Sequence, residues 1–536
     1  MEQNVTAALR TIEIDRMTTL AEVSGRHARD RPSAVALSFE GRETTYSQFQ
    51  QRSNQVANAL IAGGVRPGER VAYLGKNCDR YFEILFGAAK AGAVMTPIGW
   101  RLAPAEATAV LEDCQARVVF LGPELAAQTA AVEGLTGRPL VLDIEAAADE
   151  GVRSYDSWRT VASTESPNVR IQPEDVVIQL YTAGTTGRPK GAMLTHANLL
   201  AKQRAASEAQ LAWHAWTPDD VSLVAMPVGH IGGSLWGTVG LLFGAKGVIA
   251  REFDPREVLD YIERDRISKM FMVPTALQVV VRNPRSRQVD FSRLKYILYG
   301  ASPMPLDLLR ECLEVFGCGF CQQYGMTETS GAIVYLPPED HDPNGNPRMR
   351  AAGVPMPGVE LKIVDAQGAS LPHNIVGEVV TRSSSNMAGY WRMPEATAAT
   401  LDSQGWLRTG DAGYLDEDGY LYIHDRVKDM IISGGENIYP AEVENAIYGH
   451  PRVSEVAVIG VPDERWGEAV KAVVVLVPGA APDIPDILSF ARARIAAFKL
   501  PKSIDFVDTL PRNAAGKILR RELRAPYWAG LERKVN

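Results

Sequence analysis

The sequence predicts an α/β protein: a large N-terminal domain of layered α/β sheets that includes a small β subdomain, followed by a small α+β C-terminal domain. Three observations predict it. The chain has 536 residues, more than one hydrophobic core ordinarily serves, so at least two domains are expected. Helical and strand patterns alternate over residues 20–120 and again over 175–324, which implies helices covering a mainly parallel sheet. Around Gly353 the texture changes to short apolar runs separated by Gly, Pro and Asp turns, the pattern of a small β unit.

Taken in order, residues 1–16 read as a loose arm, 47–62 as an amphipathic helix, 69–74 as a short strand and 78–91 as a helix. A buried strand over 176–180 leads into a Gly/Thr-rich loop, and a helix follows with Thr195 as its N-cap. In the β unit, strands are expected over 360–365, 377–381 and 420–424. Beyond Lys428, strands and helices resume over 441–448, 453–461, 471–477 and 486–497. The domain boundary is therefore placed at Lys428, dividing the chain into 1–427 and 428–536.

Composition fits a globular chain: 46% hydrophobic, 22% charged, mean hydropathy −0.10, which argues against disorder. A net charge of −8 repels phosphate backbones, so nucleic acid is not an expected partner. Five cysteines, an odd and low number, suit a reducing cytoplasmic setting rather than a disulfide framework. Cys318 and Cys321 have metal or redox spacing, but no second pair completes a site, so buried thiols are the favoured reading. The N-terminus carries Glu2, Glu13 and Asp15 and no long apolar run, unlike a signal peptide. Residues 221–245 carry no Asp, Glu, Lys or Arg over a length that could span a bilayer. They include Pro227, His230 and six glycines, so the expectation is buried strand, loop and helix beside a pocket.

The strongest motif is Tyr181-Thr-Ala-Gly-Thr-Thr-Gly-Arg-Pro-Lys190-Gly191. Its glycines, Gly184 and Gly187, let backbone N–H groups approach phosphate oxygens. The hydroxyls of Thr182, Thr185 and Thr186 add donors, and Lys190 adds charge. The spacing is not that of a P-loop, and no Ser or Thr follows the lysine. The stretch resembles the signature of the adenylate-forming superfamily: acyl- and aryl-CoA synthetases, luciferase-like enzymes and peptide-synthetase adenylation domains. Further motifs follow in the family's order over nearly the whole chain, and acyl-CoA synthetases are the nearest group. One departure is Ala183, where the family often has Ser.

The resemblance implies roles for the matching positions. In Tyr324-Gly325-Met-Thr327-Glu328 it implies adenine stacking for Tyr324, an α-phosphate contact for Thr327 and Mg²⁺ binding for Glu328. Gly300-Ala301-Ser302 matches the loop that lines adenine and the acyl group. Gln323 stands where many members have Gly. Asp411 matches the carboxylate that holds both ribose hydroxyls, and Arg426 the arginine that contacts ribose and phosphate. Lys428 matches the hinge about which a mobile C-terminal domain swings, with Gly434 and Gly435 beside a pantetheine channel. Lys517, in Pro511-Arg-Asn-Ala-Ala-Gly-Lys517, matches the catalytic lysine. His230 sits where the family has a residue gating the substrate carboxylate. Read alone, most of these would be turn or surface residues; their order and spacing favour the functional reading.

The implied reaction is activation of a carboxylic acid as acyl-AMP by ATP with Mg²⁺, pyrophosphate leaving, then transfer to coenzyme A. Peptide-synthetase adenylation domains place an Asp near the substrate ammonium, whereas residues 231–245 contain no Asp or Glu. A buried cation without a partner is costly, so a medium-chain fatty acid or a similarly apolar acid is expected. Nineteen residues follow Lys517, too few for a fused carrier, which favours a diffusible thiol. Transfer to a separate carrier protein is the alternative, and a luciferase-like oxidase or a catalytically silent binding protein are weaker ones. A homodimer is one option for the oligomeric state.

Overall fold

The computed structural model describes residues 17–146, 153–182, 189–302, 304–426, 429–433, 436–463, 465–512 and 518–529; at 425, 426, 436 and 437 only the backbone is described. Two large sheets dominate. The first has nine strands, with Arg42–Thr45 at one edge and Val354–Pro355 at the other. Its six central strands, Val35–Phe39, Lys246–Ile249, Val221–Val224, Lys269–Met272, Tyr296–Gly300 and Gly319–Met326, run parallel. The second has seven strands, parallel from Val176–Thr182 through Val94–Ile98, Arg70–Leu74 and Val118–Leu121 to Leu140–Asp143. Two antiparallel strands, Lys190–Thr195 and Gly389–Tyr390, close its other edge.

Helix packing locks these sheets together. Helix Tyr46–Ala62 begins at Thr45, whose hydroxyl accepts from the Gln48 amide while the Gln48 side chain reaches back, a capping box. It packs on helix Asp79–Ala91, which is buried at nearly every position; its buried Asp79, Glu83 and Lys90 are held by Arg42, by Arg52 and Tyr155, and by Gln50, Ser53 and Asn54 respectively. Phe49, Phe82 and Phe86 are fully buried there, each worth roughly 1.5–3 kcal/mol against exposure. Val56 lies so close to Gly87 that any larger residue would clash.

The expected β unit is a four-stranded antiparallel sheet in the order Glu360–Val364, Gly377–Arg382, Trp406–Leu415 and Leu421–Arg426. The C-terminal region forms a separate five-stranded sheet around the long pair Val453–Asp463 and Gly467–Leu476, with helices Pro440–Tyr448, Ile484–Arg492 and Arg520–Trp528. Its core, around Val443, Val458, Val470 and Ile504, is a cluster of its own. The last strand of one sheet ends at Arg426 and the first of the other begins at Ile431; Lys428 falls between them, outside the described residues.

Several expectations needed adjustment. The helix after the Gly/Thr loop does start at Thr195, whose hydroxyl accepts from the Asn198 amide. A strand, Lys190–Thr195, lies between loop and helix and pairs antiparallel with Val176–Thr182. Trp406–Leu415, which carries Asp411, is a strand that the turn-rich sequence around it concealed. The uncharged stretch 221–245 is strand Val221–Val224 and helix Ile231–Leu242. Among the described residues no helix is long and apolar enough to cross a membrane. The cysteines are unpaired, four of them buried, and burial pushes the Cys318 thiol up to about 12. No cluster that could hold a metal through three His, Cys, Asp or Glu residues occurs among the described residues.

Candidate active site

Thr182 ends one strand and Lys190 begins the next, and the two are paired across the hairpin. Residues 183–189 form the segment that joins them in sequence. Gly184, Thr185, Thr186 and Gly187 belong to that segment and lie outside the described residues. The Thr182 hydroxyl donates to Oε1 of Glu328 at 3.3 Å, and the same oxygen accepts from the Tyr390 phenol at 2.8 Å. Lys190 Nζ lies 5.0 Å from the centre of the Tyr390 ring, a cation–π arrangement. Glu328 is only 4% exposed and sits in the single turn Thr327–Thr329 that follows strand Gly319–Met326. The structure thus brings Thr182, Lys190 and Glu328 into one cluster through Tyr390, a fourth member that the sequence did not single out. Its only sequence signal is an aromatic after Gly389.

The chemistry of this donor set suits Mg²⁺. The ion takes one or two carboxylates and fills its remaining positions with phosphate oxygens and water. Glu328 offers one carboxylate, held by two hydroxyl donors, beside the loop expected to hold phosphates.

A second group of site residues lies along the strand that leads into the Thr327–Thr329 turn. Strands Tyr296–Gly300 and Gly319–Met326 pair with Gly300 opposite Gln323. A Cβ on Gly300 would collide with the Gln323 carbonyl, so glycine is what lets the strand ends close up. Ala301, next in chain, has φ +69°, an uncommon conformation that turns the chain sharply off the sheet; Ser302 follows at the rim. The partner strand carries a register shift between Tyr324 and Gly325. The Tyr324 hydroxyl donates to Oδ2 of Asp411 at 2.7 Å. Asp411 is paired in the backbone with Arg426 across strands Trp406–Leu415 and Leu421–Arg426. Tyr324, Asp411 and the backbone of Arg426 are therefore contiguous, although they come from two sheets.

His230 is the N-cap position of helix Ile231–Leu242. Its Nε2 is buried and has no hydrogen-bond partner among the described residues. Burial, helped by the charge of Arg101, holds its pKa below the ordinary value, so the ring is neutral at neutral pH. An orphaned ring nitrogen is costly unless a ligand meets it. Trp236, on the same helix, donates its indole N–H to the Leu223 carbonyl at 2.9 Å and packs on Trp216 and Phe271.

In the C-terminal region, Lys517, Gly434 and Gly435 lie outside the described residues, as does Lys428. Their flanks are held. Ser433 pairs with Glu436, Arg512 bridges Ile518, and the Leu519 amide donates to the Pro511 carbonyl at 2.8 Å.

Comparison with known proteins identifies the family. Residues 25–391 match the model of the AMP-binding enzymes, and residues 442–517 that of the AMP-binding enzyme C-terminal domain. The chain belongs to this family, the adenylate-forming ligases. A fatty acid–[acyl-carrier-protein] ligase, ScoC, from Streptomyces coeruleorubidus is 43% identical over 97% of this chain and 98% of its own length. A feruloyl-CoA synthase from an Amycolatopsis species is 41% identical over 94% and 98%. The crystal structure of ATP-bound MatB from Rhodopseudomonas palustris superposes with a TM-score of 0.84 at 32% identity, covering 96% of this chain and all of that one.

Proposed function

We propose that this ligase activates a carboxylic acid with an apolar body, a medium-chain fatty acid or an aryl acid, as its acyl-AMP. The acyl group then passes to the thiol of coenzyme A. The observation that carries the proposal is the pairing of two half-sites across sheets: Glu328 with Thr182 and Tyr390, and Asp411 with Tyr324.

The residues divide the work. A carboxylate attacks the α-phosphorus of ATP, and pyrophosphate leaves. Both reactants are anionic, so catalysis needs charge neutralisation and alignment. The loop from Thr182 to Lys190 and Thr327 hold phosphate oxygens. Mg²⁺ at Glu328 would neutralise the phosphates. Asp411 and Arg426 hold the ribose, Tyr324 and the 300–302 loop border adenine, and Gln323 narrows the acyl side. His230, neutral and unpartnered, donates or accepts at the substrate carboxylate. Lys517 delivers positive charge to the forming bond, and rotation about Lys428 then replaces it with the channel beside Gly434 and Gly435. The resulting division of the chain is 1–427 and 428–536.

A carrier-protein thiol is the second reading, favoured by the 43% identity to a fatty acid–[acyl-carrier-protein] ligase. Acid-dependent exchange of pyrophosphate into ATP over a panel of acids tests the first step. Thioester yield with coenzyme A alone, against yield with a holo carrier protein, separates the acceptors. Absence of exchange with every acid overturns the proposal.

A further inference from the structure

We propose that Lys202 is a specificity-determining residue that meets an oxygen acceptor at the far end of the acid substrate. The inference rests on the adenylation reading above and names the class of acid.

Lys202 lies on helix His196–Glu208, which follows the phosphate hairpin. Its side chain runs inward, and only 8% of the residue is exposed. Nζ donates to the Ser330 carbonyl at 2.8 Å. An ammonium has three N–H donors, and this is its one acceptor among the described residues. No carboxylate there pairs with it, and burial alone brings its pKa down to about 7. The two other buried lysines with lowered pKa values differ. Lys90 donates to Gln50, Ser53 and Asn54. Lys269 donates to the carbonyls of Trp213 and Ala215 and stacks on Trp216. Both are satisfied by the protein; Lys202 is not.

Its surroundings are those of the acid site. Ser330 ends the turn Thr327–Thr329 that carries Thr327 and Glu328. The Ser330 hydroxyl is itself buried without a partner among the described residues, and the residue adopts φ +53°, a conformation that non-glycine residues rarely hold without reason. Gly331 comes next with φ +91°, and a Cβ there would stand 3.1 Å from Lys202 Nζ and 3.3 Å from Leu235. Leu235 belongs to the helix that begins at His230. So the ammonium stands beside a position that glycine keeps clear, where the Glu328 turn meets the His230 helix. A buried ammonium with unused donors is costly. A hydroxyl, carbonyl or carboxylate oxygen on the substrate satisfies it. The same ammonium repels a substrate amine, in keeping with the absence of Asp and Glu from residues 231–245.

The test measures pyrophosphate exchange by the full chain with straight-chain and aryl acids of graded length, each ending in a methyl, a hydroxyl or a carboxylate. Wild type is expected to prefer an oxygen-bearing terminus at one length, the hydroxyl and carboxylate arms telling a neutral from an anionic group. Lys202→Met should lose that preference by on the order of tenfold to a hundredfold in kcat/KM, the loss of one charge-assisted hydrogen bond, and gain on methyl-ended acids. Lys202→Arg should retain the preference, and Lys202→Gln provides the neutral comparison should the methionine variant fail to fold. Exchange that persists with unchanged terminal selectivity in the variants overturns the role of Lys202 alone. Exchange with no acid at all, in wild type, overturns the adenylation reading beneath it.

Discussion

The phenol of Tyr324 donates to the carboxylate of Asp411 across 87 positions of sequence, at 2.7 Å. One residue belongs to the nine-stranded sheet and the other to the four-stranded sheet. Their hydrogen bond orients the carboxylate assigned to the ribose and fixes the ring assigned to adenine.

Asp411→Ala should therefore weaken ATP binding in a folded protein. Two hydrogen bonds to a charged acceptor are worth about 1.5–3 kcal/mol each before rearrangement. Tyr324→Phe, which keeps the ring and removes the orienting donor, should have a smaller effect of about 1 kcal/mol on the same affinity. Calorimetric titration with ATP measures both, and unchanged affinity in Asp411→Ala would remove the ribose role.

Glu328 accepts from both Thr182 and Tyr390, so the metal assignment extends to a residue outside the motifs. Glu328→Gln should raise the Mg²⁺ concentration needed for half-maximal pyrophosphate exchange. Tyr390→Phe should raise it less, by on the order of fivefold, the size of one net hydrogen bond. Identical Mg²⁺ titration curves in all three proteins would refute the assignment.

Lys517→Ala should slow adenylate formation by on the order of a thousandfold, the loss of about 4 kcal/mol of transition-state stabilisation. It should leave thioester formation from a supplied acyl adenylate largely intact. Lys428→Pro should do the reverse, because fixing φ obstructs rotation rather than chemistry. Equal impairment of both steps by Lys517→Ala would count against alternation of the domains.

Stability should fall on acidification below about pH 6.5, the ordinary histidine value. Burial lowers His27, His196 and His341 to about 4 and His214 to about 3. Between those values and 6.5 the unfolded chain binds protons that the folded chain does not, so stability rises with pH through this window and is lost as pH falls. The shift at His27 alone corresponds to up to about 3 kcal/mol at the acid end of the window. Thermal unfolding followed from pH 8 to pH 4 checks the sign, and a Tm flat between about pH 6.5 and 4.5 would contradict it.

Much of the site was legible before folding because phosphate chemistry imposes local patterns. A loop that offers backbone N–H groups needs Gly, hydroxyls and a cation within a few residues, and 181–191 supplies them in one run. Alternating helix and strand patterns likewise announced the parallel sheets, since each element shows its buried face in its own periodicity. The strand Trp406–Leu415 escaped because its Gly and Asp residues read as a turn, while pairing with two neighbours overrode that local preference.

By itself, then, the sequence determined that the chain is a layered α/β protein and which family it joins, and it pointed to the segments proposed to bind phosphate. Only the tertiary structure decided which groups meet: Tyr390 with Glu328 over 62 positions, Tyr324 with Asp411 over 87, and Lys202 with the Ser330 carbonyl over 128. The physical reason is that such contacts depend on strand register and on how sheets stack. A shift of one residue in a strand turns every side chain to the other face, and no periodicity within either segment records the partner that the register selects.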